Sequence, residues 1–126
     1  MYNLFISHAW SYSESYRTVC RWLDESGIAY RNYSVPQHNP IDSDVSLKAQ
    51  LREQVRCASI VIIISGMYAA HSKWIDYEID VAKEYGKYII GLRPWGQERV
   101  PLKIQNCADE MVGWNSAPLI QAIKNH

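Results

Sequence analysis

Ser59–Ser65 reads SIVIIIS. Ile60 to Ile64 are five β-branched apolar residues in a row, with no polar alternation. A strand with one wet face alternates, whereas a strand covered on both faces reads like this. The run is far too short to span a bilayer. It therefore belongs at the centre of a parallel sheet. Tyr88–Leu92, YIIGL, has the same two-sided character and reads as a neighbouring interior strand.

Between them lies Ser72–Gly86, SKWIDYEIDVAKEYG. At about 100° per residue, Val81, Trp74, Tyr85, Ala82, Ile75 and Ile79 share an arc of roughly 160°. Asp76, Asp80, Lys83, Glu84 and Tyr77 fill the remainder, so the segment is an amphipathic helix ended by Gly86. Gly66–His71 reads as a loop leading into it. Upstream of the central strand, Asp44 can cap a helix whose buried face carries Leu47, Leu51, Val55 and Ala58. Ser34–Asp44, SVPQHNPIDSD, holds two prolines and no periodicity. Such a long connection is expected to be mobile and to border a binding edge.

Tyr2–Ser7 is a compact apolar segment and reads as strand one. After the Ser7–Trp10 loop, Ser11 and Glu14 form an S-x-x-E capping box. Tyr12, Tyr16, Val19, Cys20 and Leu23 recur at helical spacing, and Gly27 stands where a helix C′ residue would. Ile28–Tyr33 is a short second strand. Past the fourth strand, Arg93–Asp109 is mostly irregular, with a helical turn at Leu102–Asn106. Glu110–Gly113 is a short edge strand. Ser116 caps a last helix, Ala117–Lys124, with Pro118 in its first turn.

Strands and helices thus alternate along one domain of residues 1–126. Parallel strands need crossovers, and helical crossovers on both faces give a doubly wound α/β sheet. A flavodoxin-like five-stranded order, 2-1-3-4-5, puts the two most apolar strands inside. Ligands in such sheets bind beyond the strands' carboxyl ends, at the switch point between strands one and three. That edge gathers the Ser7–Trp10 loop, the long Ser34–Asp44 loop, Ser65–His71 and the start of the following helix.

One residue in that helix is out of place. Glu78 lies about 40° from Trp74, inside the apolar arc. A carboxylate there is expensive to bury unless paired, hydrogen-bonded or protonated. Burial raises its pKa, which suits acid–base or electrostatic work on a ligand. The plainer alternatives are a partner Arg or a place at the stripe's open end.

Composition excludes several classes. The chain has 13 basic and 13 acidic residues in 126, and no basic block marks a nucleic-acid footprint. MYNLFISHAW lacks a basic segment followed by a long apolar one, so neither a signal peptide nor a membrane span is expected. Cys20, Cys57 and Cys107 form no CxxC pair or disulfide framework, which fits a reducing, cytoplasmic setting. Cys20 reads as a small core residue. Nine Tyr and five Trp against one Phe suit a core edge, an interface or a pocket for a planar ligand.

Phosphate loops of the GxGxxG and GxxxxGK[ST] types are absent. A phospho-acceptor site would need acidic residues after strands one and three, where this chain has Ser7-His8 and Ser65-Gly66. His8, His38 and His71 lie in three loops of the binding edge without metal-ligand spacing, so no metal is expected. Ser7 near a His has no G-x-S-x-G elbow; its hydroxyl suits a turn as well as a substrate.

YNLFISH at Tyr2–His8 resembles the first box of TIR domains, Y-D-V-F-I-S-Y/H. SKWIDYEI at Ser72–Ile79 resembles their S-x-W-C-x-x-E-L segment. The resemblance spans about residues 2–92. With NYSVP after strand two, it is similar to the bacterial TIR-like group that includes the NAD+-processing proteins of Thoeris antiphage defence. It departs at Asn3, where Asp is common, at Ile75 in place of Cys, and in lacking R-D-x-x-P-G in the long loop. The resemblance implies cleavage of the nicotinamide–ribose bond of NAD+ as substrate, giving ADP-ribose or a cyclic ADP-ribose-type signal. Glu78 would be catalytic. Ser7, His8, Trp10, Tyr33 and Trp74 would border the substrate, with Trp10 or Tyr33 able to stack on a planar ring. No further cofactor is implied. Self-association and a downstream effector that senses the nucleotide are the implied partners. A non-catalytic TIR interaction module is the alternative, and a nucleoside transferase with a glutamate at the glycosidic carbon a third.

Overall fold

The computed structural model describes residues 1–7, 13–34, 44–94 and 99–126. Along the chain run β1 (Tyr2–Ile6), α1 (Ser13–Ser26), β2 (Tyr30–Asn32), α2 (Asp44–Cys57), β3 (Ile60–Ile64) and α3 (Tyr68–Glu84). They are followed by β4 (Tyr88–Leu92), α4 (Leu102–Cys107), β5 (Glu110–Val112) and α5 (Ser116–Lys124). All pairings are parallel and the order is β2-β1-β3-β4-β5, the flavodoxin-like arrangement expected from the apolar runs.

β3 explains the architecture. Every one of its residues is buried, and all five pair with β4, from Ile60 with Tyr88 to Ile64 with Leu92. On its other side β3 pairs with β1, Leu4 to Ile6 against Ile60 to Ile62. Two-sided burial requires helices on both faces. α1 packs with α5, while α2 packs with α3 and α3 with α4. The buried face of α2 is the expected one, Leu47, Leu51 and Val55, continued by buried Ala58 just past the helix end.

Several boundaries differ from expectation, each for a local reason. The Ser65–Met67 segment is a 3-10 turn that runs directly into α3 at Tyr68, where the sequence suggested a loop to His71. After Gly66 nothing in Met67–His71 breaks a helix, and its two alanines favour one. β2 keeps only three residues of the expected Ile28–Tyr33, as an edge strand with one neighbour. Tyr85 lies in the apolar arc of α3 yet is exposed, just past the helix end, with the Arg52 guanidinium over its ring at 5.8 Å. In α5 the N-cap position belongs to Asn115, and Ser116 is the first helical residue. Pro118 then falls at the third position, whose N–H has no intrahelical partner to lose. The Ser11 capping box and all of the long loop except its ends, Ser34 and Asp44, lie outside the described residues.

Gly27 (φ +77°) and Gly86 (φ +66°) reverse the chain after α1 and α3, in the left-handed region that favours glycine. The carboxyl edge of the sheet is tied by side chains. Ser7 sends its N–H to the Ile62 carbonyl at 2.9 Å, and its Oγ accepts from the Ile64 N–H at 2.8 Å. Ser34 Oγ accepts from the Ile6 N–H at 3.1 Å and donates to Asn32 Oδ1.

Two stability predictions follow from these contacts. Ser7→Ala strands the buried Ile64 N–H and should cost about 1–3 kcal/mol in urea unfolding. A β-carbon on Gly91 would fall on the Met111 sulfur and lie 3.2 Å from Ile104 Cγ2. Gly91→Val should therefore cost about 1–3 kcal/mol, and a Met111→Ala background should recover part of the loss.

Candidate functional site

The site is built from what the sheet does at its carboxyl edge. Strands β1 and β3 are neighbours there, yet α1 leaves from one and α3 from the other, which opens the switch-point crevice. Ser7 ends β1 and is fully buried. Its hydroxyl bonds the backbone just before Ser65, so Ser7 and Ser65 flank the same junction. Tyr33 stands just past β2, half-buried against the core, with its N–H on the Leu4 carbonyl at 2.7 Å. Structure thus brings Ser7 and Tyr33 to the expected edge. His8 and Trp10 lie outside the described residues, as does His38.

α3 supplies the carboxyl group. Ile75, Ile79, Val81 and Ala82 are all buried, so the helix turns the expected arc inward. Glu78 sits in the middle of that arc and is 1% exposed. Trp74, one turn earlier on the same face, is half-buried against the core, with Lys73 Nζ 5.0 Å from its ring centroid.

Three residues make up the buried polar set among the described residues: Ser7, Ser65 and Glu78. Ser7 Oγ is hydrogen-bonded. Ser65 Oγ and Glu78 Oε2 have no partner. One further buried oxygen without a partner, Asp76 Oδ1, belongs to a half-exposed residue whose carboxylate raises the pKa of Tyr68. Among the described residues no cation pairs with Glu78, so the reading of a structural Arg–Glu pair finds no support. Loss of water alone pushes its carboxyl up to about 8. At neutral pH the group rests largely protonated, able to donate a proton or, once ionised, to face a developing cation.

The sequence places Ser65 on the binding edge, after the apolar strand, but assigns it no role. The signal available was a hydroxyl directly after five apolar residues, at the switch-point edge. No group of three or more metal-ligating side chains occurs among the described residues. None of their helices is long and apolar enough to cross a membrane. Cys20, Cys57 and Cys107 are unpaired thiols, each half-buried.

The fold is shared with solved proteins of low sequence similarity. A CMP N-glycosidase from Clostridium botulinum superposes with a TM-score of 0.60 at 15% identity, covering 97% of this chain and 98% of that one. A putative pilus assembly-related protein from Burkholderia pseudomallei K96243 gives 0.61 at 14% identity, over 99% and 88%. At such identities the likeness is one of architecture. No curated protein sequence matches the chain. The TIR-like domain of the Thoeris protein ThsB matches residues 5–99, which hold Ser7, Tyr33, Trp74 and Glu78, and the chain belongs to that TIR-like family.

Proposed function

We propose that this protein is an NAD+-consuming TIR enzyme of antiphage defence that cleaves the nicotinamide–ribose bond, with Glu78 as its catalytic carboxyl. The observation that carries this reading is a carboxyl 1% exposed in the apolar face of α3, with one oxygen unpartnered. An adaptor surface has no use for a carboxyl held out of water, whereas glycosidic cleavage does. When the C1′–N bond breaks, its electron pair passes to the nicotinamide nitrogen and neutralises the pyridinium. The ribose is left with oxocarbenium character at C1′. A fixed carboxylate stabilises that charge, most strongly where water is excluded. Water then attacks C1′ and yields ADP-ribose and a proton; attack by an adenine nitrogen yields the cyclic product instead.

The resting proton on Glu78 fits this chemistry. NAD+ brings a cationic ring, and a positive charge beside a carboxyl favours its ionised form. Substrate binding would thus generate the charge that the transition state needs. Ser7 holds the β1–β3 junction, Tyr33 stands just past β2 and Trp74 one helical turn before Glu78, and the reading uses both rings as flat contacts for the substrate. His8 and Trp10 enter this reading as further substrate contacts on the strength of the family resemblance. In this reading the protein associates with copies of itself when active, and its product signals to a separate effector.

Product analysis after incubation with NAD+ and, in parallel, CMP, in purified protein and in cells during phage infection, tests the substrate. NAD+ turnover to ADP-ribose or a cyclic isomer is expected. Cleavage of CMP alone would move the protein to nucleotide glycosidases, and neither activity would favour the interaction module.

Glu78→Gln should lower NAD+ turnover by about 10²–10³-fold, the usual loss for one preorganised electrostatic contact. Its melting temperature should hold or rise, because a buried ionisable group becomes a neutral one. A variant with wild-type turnover would remove Glu78 from the chemistry.

The pH dependence has a definite sign. Below the ordinary value of 4.5 Glu78 is protonated in both folded and unfolded chains. As pH rises toward about 8 the unfolded chain gives up this proton while the folded one retains it, so stability falls across that window. Activity should run the other way, with kcat/KM rising toward about 8 as the free enzyme's carboxyl ionises. Melting curves and rate profiles from pH 5 to 9 check both, and Glu78→Gln should flatten this component of each.

A further inference from the structure

Besides Glu78, one other buried polar side chain in the described fold lacks a partner at the switch point. Ser65 is 3% exposed, follows β3 directly, and its Oγ has no hydrogen bond. It is the first residue of the 3-10 turn Ser65–Met67, whose N-cap position is held by Ile64, so the Ser65 hydroxyl does not stand at the cap. Its neighbour Ser7 does have an internal role, since Ser7 Oγ accepts from the Ile64 N–H. Two serines therefore end adjacent strands, and only one is used by the fold. A buried hydroxyl without a partner is destabilising by the loss of its water, and native structures tolerate few of them.

We propose that Ser65 is a substrate-contacting residue, whose hydroxyl pairs with a hydroxyl of a ribose while Glu78 Oε2 engages the same sugar. The chemistry of the two open oxygens selects the ligand class. A serine hydroxyl both donates and accepts, and a carboxyl does the same when protonated and accepts alone when ionised. A vicinal diol is the matching partner: each of its hydroxyls can donate to one oxygen and accept from another. A bare phosphate offers acceptors almost alone and leaves an ionised Glu78 Oε2 facing like charge. The edge of a planar base sets a donor beside an acceptor, but each of its groups is only one or the other, whereas each hydroxyl of the diol is both. The inference rests on the proposed glycosidic function, and it adds to it the sugar contact and the residue that makes it.

The test uses Glu78→Gln as the background, so that bound substrate is not consumed. Calorimetric titration of NAD+ into this variant and into Ser65→Ala/Glu78→Gln compares one hydroxyl. Loss of Ser65 should weaken NAD+ binding by about tenfold, the worth of one hydrogen bond. The melting temperature of ligand-free Ser65→Ala should equal or exceed that of the wild type, since no internal bond is lost. Ser65→Thr, which keeps the hydroxyl, should retain more affinity than Ser65→Ala. Equal binding by both titrated variants would overturn the role of Ser65 while leaving NAD+ as the substrate. A large drop in the ligand-free melting temperature of Ser65→Ala would assign the hydroxyl to the fold and overturn it too. Where NAD+ does not bind even the wild-type protein, the NAD+ reading fails and the same pair is titrated with CMP and adenosine. A tenfold Ser65 dependence there upholds the sugar contact, and no binding of either overturns both.

Discussion

Covering β3 on both faces is the constraint on which the rest depends. Ile60 to Ile64 leave no side that tolerates water, so the chain must cross over and return in parallel on each flank. That requirement sends β1 and β4 to its two sides and sets α1 with α5 and α2 with α3 and α4. The crevice at the carboxyl edge is a by-product of the same rule. Where two adjacent strands feed helices on opposite faces of the sheet, the backbone parts at the strand ends. Ser7 and Ser65 are the residues that happen to stand there, and α3 is the helix that leaves.

Glu78 works against that scheme. Its neighbours on the helix face, Ile75, Ile79 and Ala82, are there to remove apolar surface from water. Glu78 interrupts them with a group whose charged form the same environment rejects, and its pKa rises to about 8. Fold and chemistry therefore favour different protonation states of one side chain. The fold is best served by the neutral acid, while the proposed reaction, with its cationic centre at the sugar, would be best served by the anion. In the proposed reaction a cationic substrate would relieve that misfit by favouring the ionised carboxyl.

The fold was legible wherever apolar patterning was strong. The interior strands, the strand order, the buried face of α2 and the inward arc of α3 all follow from period and β-branching. Boundaries at the surface were less legible. Met67–His71 has no breaker, yet its neighbours in sequence look like a loop, and only the packing of α3 reveals the longer helix. β2 loses half of its expected length because an edge strand is held from one side only. In the site, Glu78 announced itself because a charge inside an apolar arc breaks a pattern. Ser65 did not, since a serine after a strand is common, and its lack of a partner is visible only in three dimensions. Residue types such as Tyr33 and Trp74 could be placed at the edge by topology, but their half-burial against the core depends on neighbours far along the chain.

The two flanking strands have a consequence for assembly. β2 and β5 are three residues each, against five for the strands they border. At the β2 side, the ladder to β1 is completed by the Ser34 hydroxyl and not by main chain. A foreign strand seeking to extend the sheet would find only a short stub of free main-chain groups on either margin, too little to zip onto. Such margins discourage growth of the sheet from molecule to molecule, the first step toward amyloid-like stacking. The self-association proposed above would therefore fall to the outer surfaces of helices and to loops, where charge and shape can be selective and the contact reversible.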